Sequence, residues 1–403
     1  MKSKRAFYVT YDGVTDPLGR SQIMPVLEGL AGEGVDIVLF SFEKPSKETE
    51  IRAVSEKLAR LGIDWQRLKY HKYPKIASTF FDIMAGYLLA LKASLCKRGE
   101  VIHCRSYVPM CIGVMLKLTL GGKLIFDMRG YWADERTEGS IWKKNGLLYR
   151  LTKYIEKNIF IKLSDTIVVL TNASLRDIKA RWGLSDKQLA CIPTSVEFNN
   201  FSLLMSGEKY TNVISWIKNK FCFCYLGSLG TWYALPEIFS FFVQAKSIIS
   251  DCCLLFITPN GEVLDGYAEH SGISRNEWLS LMLPHEDVPG VLRHVKAGLA
   301  FYKPGYSRIA CSPTKLGEYL ACGLPVIINT GIGDSDEVIS SNNVGYVLKG
   351  YFDSEYLDAL NKIRDLSEND PGLALRCIAV ARKYFSFDDS VKKYTRLYNE
   401  FSS

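Results

Sequence analysis

The chain has 403 residues, 47% hydrophobic and 23% charged, with a formal net charge of +7. That length suits two domains with full cores, the composition excludes a disordered chain, and the charge is too mild and scattered for a nucleic-acid-binding stripe. The 11 cysteines are odd in number and lack metal-ligand spacing, which reads as buried, reduced thiols in a cytosolic protein.

Reading along the chain, the basic start Met1-Lys2-Ser3-Lys4-Arg5 leads into too short an apolar run for a signal peptide, and Ala6–Thr10 reads as a first strand. Arg20–Glu33 reads as a helix with Ile23, Val26, Leu27 and Leu30 on one stripe; Asp36–Ser41 is a strand, and Lys47–Leu61 a helix with a charged outer face. Thr79–Lys97 is apolar and reads chiefly as core, and no segment is expected to be long and apolar enough to span a membrane. Val101–Cys104, Lys123–Asp127 and Thr166–Leu170 are further buried strands. Ile141–Leu163 mixes apolar residues with Lys143, Lys144, Arg150, Lys153, Lys157 and Lys162. It reads as an ordinary helix with one core face and one solvated face, a membrane-surface helix being the alternative.

The pattern restarts at Phe221–Leu226, followed by helix Leu235–Ile249 and strands Leu254–Thr258, Ala297–Tyr302, Pro325–Asn329 and Val344–Leu348. Two successive strand–helix series predict two Rossmann-like α/β domains with parallel sheets. The polar stretch Asn199–Lys220 is the expected join, and Asp388–Phe401 a last helix with Val391, Tyr394, Leu397 and Tyr398 at core spacing. The expected domains are 1–200, 201–385 and a terminal helix, 386–403.

Five segments carry chemistry. Tyr11–Gln22 follows the first strand and holds Gly13, Gly19, Arg20 and Gln22; by composition alone it is a turn. Phe126-Asp127-Met128-Arg129-Gly130-Tyr131-Trp132-Ala133-Asp134-Glu135 follows another strand, as active-site loops do in parallel sheets. His103 and Arg105 end a third strand. Phe223–Tyr233 opens through Gly227-Ser228-Leu229-Gly230-Thr231 toward a helix, and glycine lets backbone approach a phosphate closely. In Cys311–Ile327, Ser312 is expected to cap a helix, Pro313 to open its first turn and Gly323 to end it. Its N-terminus suits a diphosphate, with Lys315 as a nearby cation and Glu318 as an acceptor for ribose hydroxyls. Asp334-Ser335-Asp336 has the spacing of a metal-binding pair but reads as an ordinary turn.

The segment Cys311–Ile327 resembles the donor-binding helix of the retaining GT-B glycosyltransferases of family 4. There, two Glu separated by seven residues frame the helix; Glu318 falls on the second, and Ala310 stands at the first. Gly227 matches the family's phosphate loop, with Ser228 where Arg is usual and Thr231 near the usual Lys, so Lys303, Arg308 or Lys315 would supply the charge. Tyr11–Gln22 resembles the strand-one loop, with Gly19 meeting donor phosphates. Arg129 stands where related enzymes often have His, in an Asp-x-Arg-Gly form resembling a bacterial surface-polysaccharide branch.

The resemblance spans nearly the whole chain. It implies a GT-B fold in which two Rossmann-like domains face a central cleft and the last helix crosses back to the first. It also implies a retaining transfer from a nucleotide-sugar donor to a glycan or polyprenyl-linked glycan acceptor in O-antigen or capsule biosynthesis. No metal or other cofactor and no nucleic acid are expected, and the place of action is the cytoplasm, with peripheral contact at the inner membrane surface. The residues carried over are Asp127, Arg129, His103 and Glu135 for catalysis. For the donor they are Gly19, Gly227, Ser228, Thr231, Lys303, Arg308, Ser312, Thr314, Lys315, Leu316 and Glu318. For the acceptor they are Arg20, Gln22, Arg105 and Trp132. A nucleotide-sugar epimerase or hydrolase on the same fold, or a non-catalytic sugar-nucleotide binding subunit, stays open as an alternative.

Overall fold

A computed structural model describes residues 5–96, 99–198 and 207–401. Met1–Lys4, Lys97 and residues 199–206 of the expected join lie outside them; the rest of that join holds a short 3-10 turn and the helix Thr211–Ile217. Contacts divide the chain into two units, one running to Pro193 and resuming at Phe387, the other spanning Thr194–Ser386.

The first unit is built on seven parallel strands: β1 (Arg5–Thr10), β2 (Asp36–Glu43), β3 (Asp64–Lys69), β4 (Val101–Arg105), β5 (Lys123–Asp127), β6 (Thr166–Val169) and β7 (Leu189–Cys191). Their spatial order is β3-β2-β1-β4-β5-β6-β7, so the chain reverses direction across the sheet between β1 and β4. In such sheets, side chains at the carboxyl ends of the strands flanking that switch point into a crevice. The second unit repeats the plan with six strands: β8 (Phe221–Leu226), β9 (Cys252–Ile257), β10 (Trp278–Leu281), β11 (Ala297–Ala300), β12 (Val326–Asn329) and β13 (Gly345–Leu348). Their order is β10-β9-β8-β11-β12-β13, with the switch between β8 and β11.

The central strands are buried on both faces, which is why they read as continuous apolar runs in the sequence. Three strands escape that signal: β3, β7 and β10. All three are sheet edges. An edge is covered on fewer sides, so it needs no apolar run; β3 is DWQRLK, with no fully buried residue.

The last helix, Phe387–Glu400, belongs to the first unit. Val391, Tyr394 and Tyr398 face inward against the helix Met24–Gly32. Gly29 is where the two helices meet: a Cβ there would overlap the Val391 methyls.

Two expectations about apolar helices are corrected. The helix Lys75–Cys96 includes Ile76–Leu95, which by length and mean hydropathy (1.4) alone could cross a membrane, and only 22% of that window is buried. Ile76, Phe80, Leu88 and Leu95 are exposed along it, so this helix is not chiefly core. Ile141–Leu163 resolves into the helix Leu147–Ile155, a π-turn at Glu156–Phe160 and a last turn at Ile161–Leu163. No residue of Leu147–Ile155 is fully buried, so the expected core face is missing.

Candidate functional site

In the first unit, the carboxyl ends of β1, β4 and β5 bring together Asp12, His103, Arg105, Asp127 and Arg129. His103 and Asp127 are buried at 0% and 1% exposure. His103 Nδ1 lies 2.6 Å from the Tyr398 hydroxyl. Its Nε2 approaches Asp127 Oδ2 at 3.5 Å, an electrostatic rather than a hydrogen-bonded contact. Tyr394 donates its hydroxyl to the same Asp127 oxygen at 3.1 Å, and Arg129 faces the other at 3.5 Å. Arg105 donates to Asp12 at 3.0 Å. Burial alone would raise the Asp127 carboxyl, yet Arg129, His103 and Arg105 hold it well below the ordinary carboxylate range. The sequence reading treats His103 and Asp127 as groups that act on substrate. Both are buried and are tied to the last helix through Tyr394 and Tyr398.

Ser106, just past Arg105, has φ of 74°, an uncommon conformation for a residue with a side chain, and its N–H donates to Asp127 O at 2.9 Å. This turn starts the helix Tyr107–Leu120 directly at the end of β4. Tyr107 stacks on Trp132 with ring centres 5.7 Å apart and donates to the buried Glu156 at 2.9 Å. Glu135 lies over Gly130, so closely that a Cβ on Gly130 would overlap its carboxylate.

The loop after β1 is pinned by a residue that sequence reasoning missed. Glu43, at the end of β2, is 5% exposed and accepts hydrogen bonds from Val14 N (2.9 Å), Thr15 N (3.1 Å), Thr15 Oγ1 (2.6 Å) and Ser41 Oγ (2.6 Å). A carboxylate closing an otherwise apolar strand at its carboxyl end is the signal that could have found it. Gly19 packs onto Gly13: a Cβ at Gly19 would overlap the Gly13 carbonyl. The chain then enters a π-turn, Gly19–Ile23, which buries Gln22. Arg20 turns outward and pairs with Glu50 at 3.4 Å. Thus Gly19, Gln22, Arg105 and Trp132 sit near the strand ends, whereas Arg20 is engaged at the surface.

In the second unit, β8 ends in Gly227, whose φ of 111° suits glycine alone. Tyr225 donates to Ser228 O at 2.7 Å and holds the following loop. Ser228 and Thr231 are exposed on it. Beneath Gly227 lies Lys315, on the helix Thr314–Ala321. Its ammonium is 4.0 Å from the ring centres of both Tyr225 and Tyr233 and 5.8 Å from that of Tyr302. Lys315 is 6% exposed, and its Nζ has no hydrogen-bond partner among the described residues. Burial lowers its pKa to about 7, against the opposing charge of Glu318.

Arg308 is also buried, stacked at 5.0 Å over Trp232 and donating to Ser307 Oγ at 2.8 Å. Lys303 is exposed, and its N–H donates to Trp232 O at 2.9 Å.

Ser312 does not cap the helix: Pro313 holds the N-cap position, and the Ser312 hydroxyl lies 2.9 Å from that of Thr194. Gly323, at φ of 78°, follows the helix end as expected. Leu316 is core at 1% exposure, so its side chain packs and only its backbone could face a ligand. Thr314 opens the helix, half-buried. Glu318 accepts from His285 Nε2 at 2.7 Å. That hydrogen bond raises the His285 pKa against the effect of burial. His285 lies 33 positions away in sequence, and nothing in its neighbours hints at the pairing. Asp336 of the Asp-x-Asp turn accepts from Thr330 and from Gly331 N, closing its own loop.

Residues 22–199 match the family model described as Glycosyltransferase Family 4. No curated protein matches the sequence. Among solved structures, a glycosyltransferase from Rickettsia africae ESF-5 is similar with a TM-score of 0.75 at 13% identity, covering 100% of both chains. HepE from Anabaena, solved in complex with UDP and glucose, is similar with a TM-score of 0.70 at 11% identity, covering 98% of this chain and 100% of its own. WaaG, a glycosyltransferase involved in lipopolysaccharide biosynthesis, is similar with a TM-score of 0.62 at 14% identity, covering 98% and 99%. At these identities the likeness is one of fold: two parallel-sheet α/β domains of the GT-B type.

Proposed function

We propose that this chain, a GT-B glycosyltransferase whose first unit carries a Family 4 domain, moves a sugar with retention from a nucleoside-diphosphate sugar to a glycan or polyprenyl-linked glycan. The setting is surface polysaccharide assembly, O-antigen or capsule, at the cytoplasmic face of a membrane. One observation carries the donor reading: Lys315, a buried lysine whose Nζ has no hydrogen-bond partner among the described residues, beneath a glycine turn and in the first turn of a helix. Leaving an ammonium unpaired in an apolar cage is costly unless an anion completes the site. A diphosphate over Gly227 would do so, gaining Lys315 and the positive end of the helix together.

In the reaction, the bond between the anomeric carbon and the diphosphate oxygen breaks, and its electron pair stays on the phosphate. Lys315 and the helix N-terminus stabilise that charge, with no metal required. The acceptor oxygen bonds to the same face of the anomeric carbon, and its proton passes to the departing phosphate. UDP and glucose, present with HepE, are the first ligands to try.

The test is calorimetry with UDP, GDP and their hexose conjugates. Binding by the wild type and its loss in Lys315→Met supports the reading. Absence of binding to every nucleotide and nucleotide sugar tested sinks it.

A further inference from the structure

The helix Leu147–Ile155 is attached to its unit in an unusual way. Tyr149 donates to Asp134 at 2.9 Å, and Lys153 reaches Asp134 at 3.1 Å and Glu156 at 2.7 Å. These polar pins take the inward side that apolar residues normally hold. The apolar residues turn outward: Leu147 is 82% exposed, Leu151 51% and Tyr154 63%. They recur at i, i+4 and i+7, so they form one stripe. Arg150 and Lys157 border it, one turn from Leu147 and Tyr154, and Lys143 and Lys144 precede it; all four are exposed, and none makes an ion pair among the described residues.

A second exposed apolar stripe lies in the same layer. The helix Tyr107–Leu120 packs against both Lys75–Cys96 and Glu156–Phe160, so the helix bearing Ile76, Phe80 and Leu88 belongs to the same face of the sheet. An apolar stripe left in water is unfavourable unless something covers it. Unpaired cations beside it select a cover that is apolar within and anionic at its surface. A lipid leaflet with acidic headgroups has that structure, taking leucine and tyrosine side chains below the headgroups while lysine and arginine stay among the phosphates.

We propose that the Lys143–Lys157 segment is a membrane-docking surface that seats the first unit on an anionic lipid leaflet. This deepens the membrane-side part of the proposed function and is independent of the donor site, because no residue of that site is involved.

The test is sedimentation of the full chain with vesicles of pure phosphatidylcholine or of phosphatidylcholine with phosphatidylglycerol. The wild type should sediment with the phosphatidylglycerol vesicles and stay in solution with phosphatidylcholine alone, and bound protein should be released by high salt. Leu147→Asp/Leu151→Asp and, separately, Lys143→Glu/Lys144→Glu should each lower vesicle affinity at least tenfold. All four positions are exposed, so melting temperature and nucleotide-induced thermal shift should be unchanged; these readouts separate a failure here from a failure of the donor reading. The proposal is overturned if the wild type ignores anionic vesicles, or if neither double variant weakens binding. It is also overturned if gel filtration shows a dimer that Leu147→Asp/Leu151→Asp dissociates, since a second copy would then be the cover.

Discussion

The ammonium of Lys315 stands 4.0 Å from the ring centre of Tyr233, the same distance as from that of Tyr225. Aromatic faces stabilise a cation only in part, and they do not replace the hydrogen bonds it leaves behind in water. The site therefore gives up stability in the free protein to keep a buried lysine where an anion can complete it.

Removing that cation should stabilise the protein. The folded pKa is about 7, whereas an unfolded lysine titrates near 10.4. Above the unfolded value both states are neutral and nothing is lost; as pH falls toward 7, only the unfolded chain takes up the proton. The cost is full at and below pH 7. Lys315→Met should accordingly raise unfolding free energy at pH 7 by about 2–4 kcal/mol, read by urea denaturation, while abolishing nucleotide binding. A variant that is destabilised and still binds nucleotide would contradict both expectations.

The same group makes donor binding pH-dependent. A diphosphate pairs with the protonated lysine, so binding above pH 7 requires proton uptake. Nucleotide affinity should fall as pH rises above about 7, by up to about tenfold per pH unit until the bound-state pKa is reached. Calorimetry in buffers of different ionisation heat would register the uptake. The slope should vanish in any residual binding by Lys315→Met.

Asp127 gives the opposite sign. Its carboxyl is held well below its ordinary range by Arg129, His103 and Arg105. Its contribution is present above the unfolded carboxyl pKa, near 3.9, and is lost as pH falls below it. Asp127→Asn leaves two arginines facing an amide in a buried site and should cost about 3 kcal/mol at pH 7. Urea unfolding at pH 7 and at pH 3 should show the gap between variant and wild type shrinking at the lower pH.

Gly19 and Tyr398 test the first unit's geometry. Gly19→Ala drives a methyl group into the Gly13 carbonyl and should cost about 1–3 kcal/mol. Tyr398→Phe leaves His103 Nδ1 without its 2.6 Å partner, a loss of about 1–3 kcal/mol for a buried polar group. Scanning calorimetry should find both melting below the wild type; an unchanged melting temperature for Tyr398→Phe would show that the His103 contact carries no stability.

The central strands were legible in the sequence because burial on both faces demands unbroken apolar runs. The edges β3, β7 and β10 were not, because an edge lacks that demand. Glu318 and Lys315 stood out by their place in a helix start, but their surroundings did not. His285 and the tyrosine cage come from separate segments of the chain, and no local pattern relates them. For the same reason Ser312 looked like a cap: its local context suits one, and Thr194, 118 positions away, takes the hydroxyl instead.

Residue types and their spacing by themselves determined the two α/β units, the glycine turn after β8 and the helix that follows Pro313, since each depends on local propensity and periodicity. Tertiary structure alone decided which way the amphipathic helices face and which charges remain unpaired. An apolar stripe is the same in sequence whether it meets a core or a solvent. In Leu147–Ile155, polar pins to Asp134 and Glu156 took the inward side and turned the leucines out. A lysine likewise looks alike in sequence whether paired or not; only the packing of Tyr225, Tyr233 and Tyr302 around Lys315 left its Nζ without a hydrogen-bond partner among the described residues.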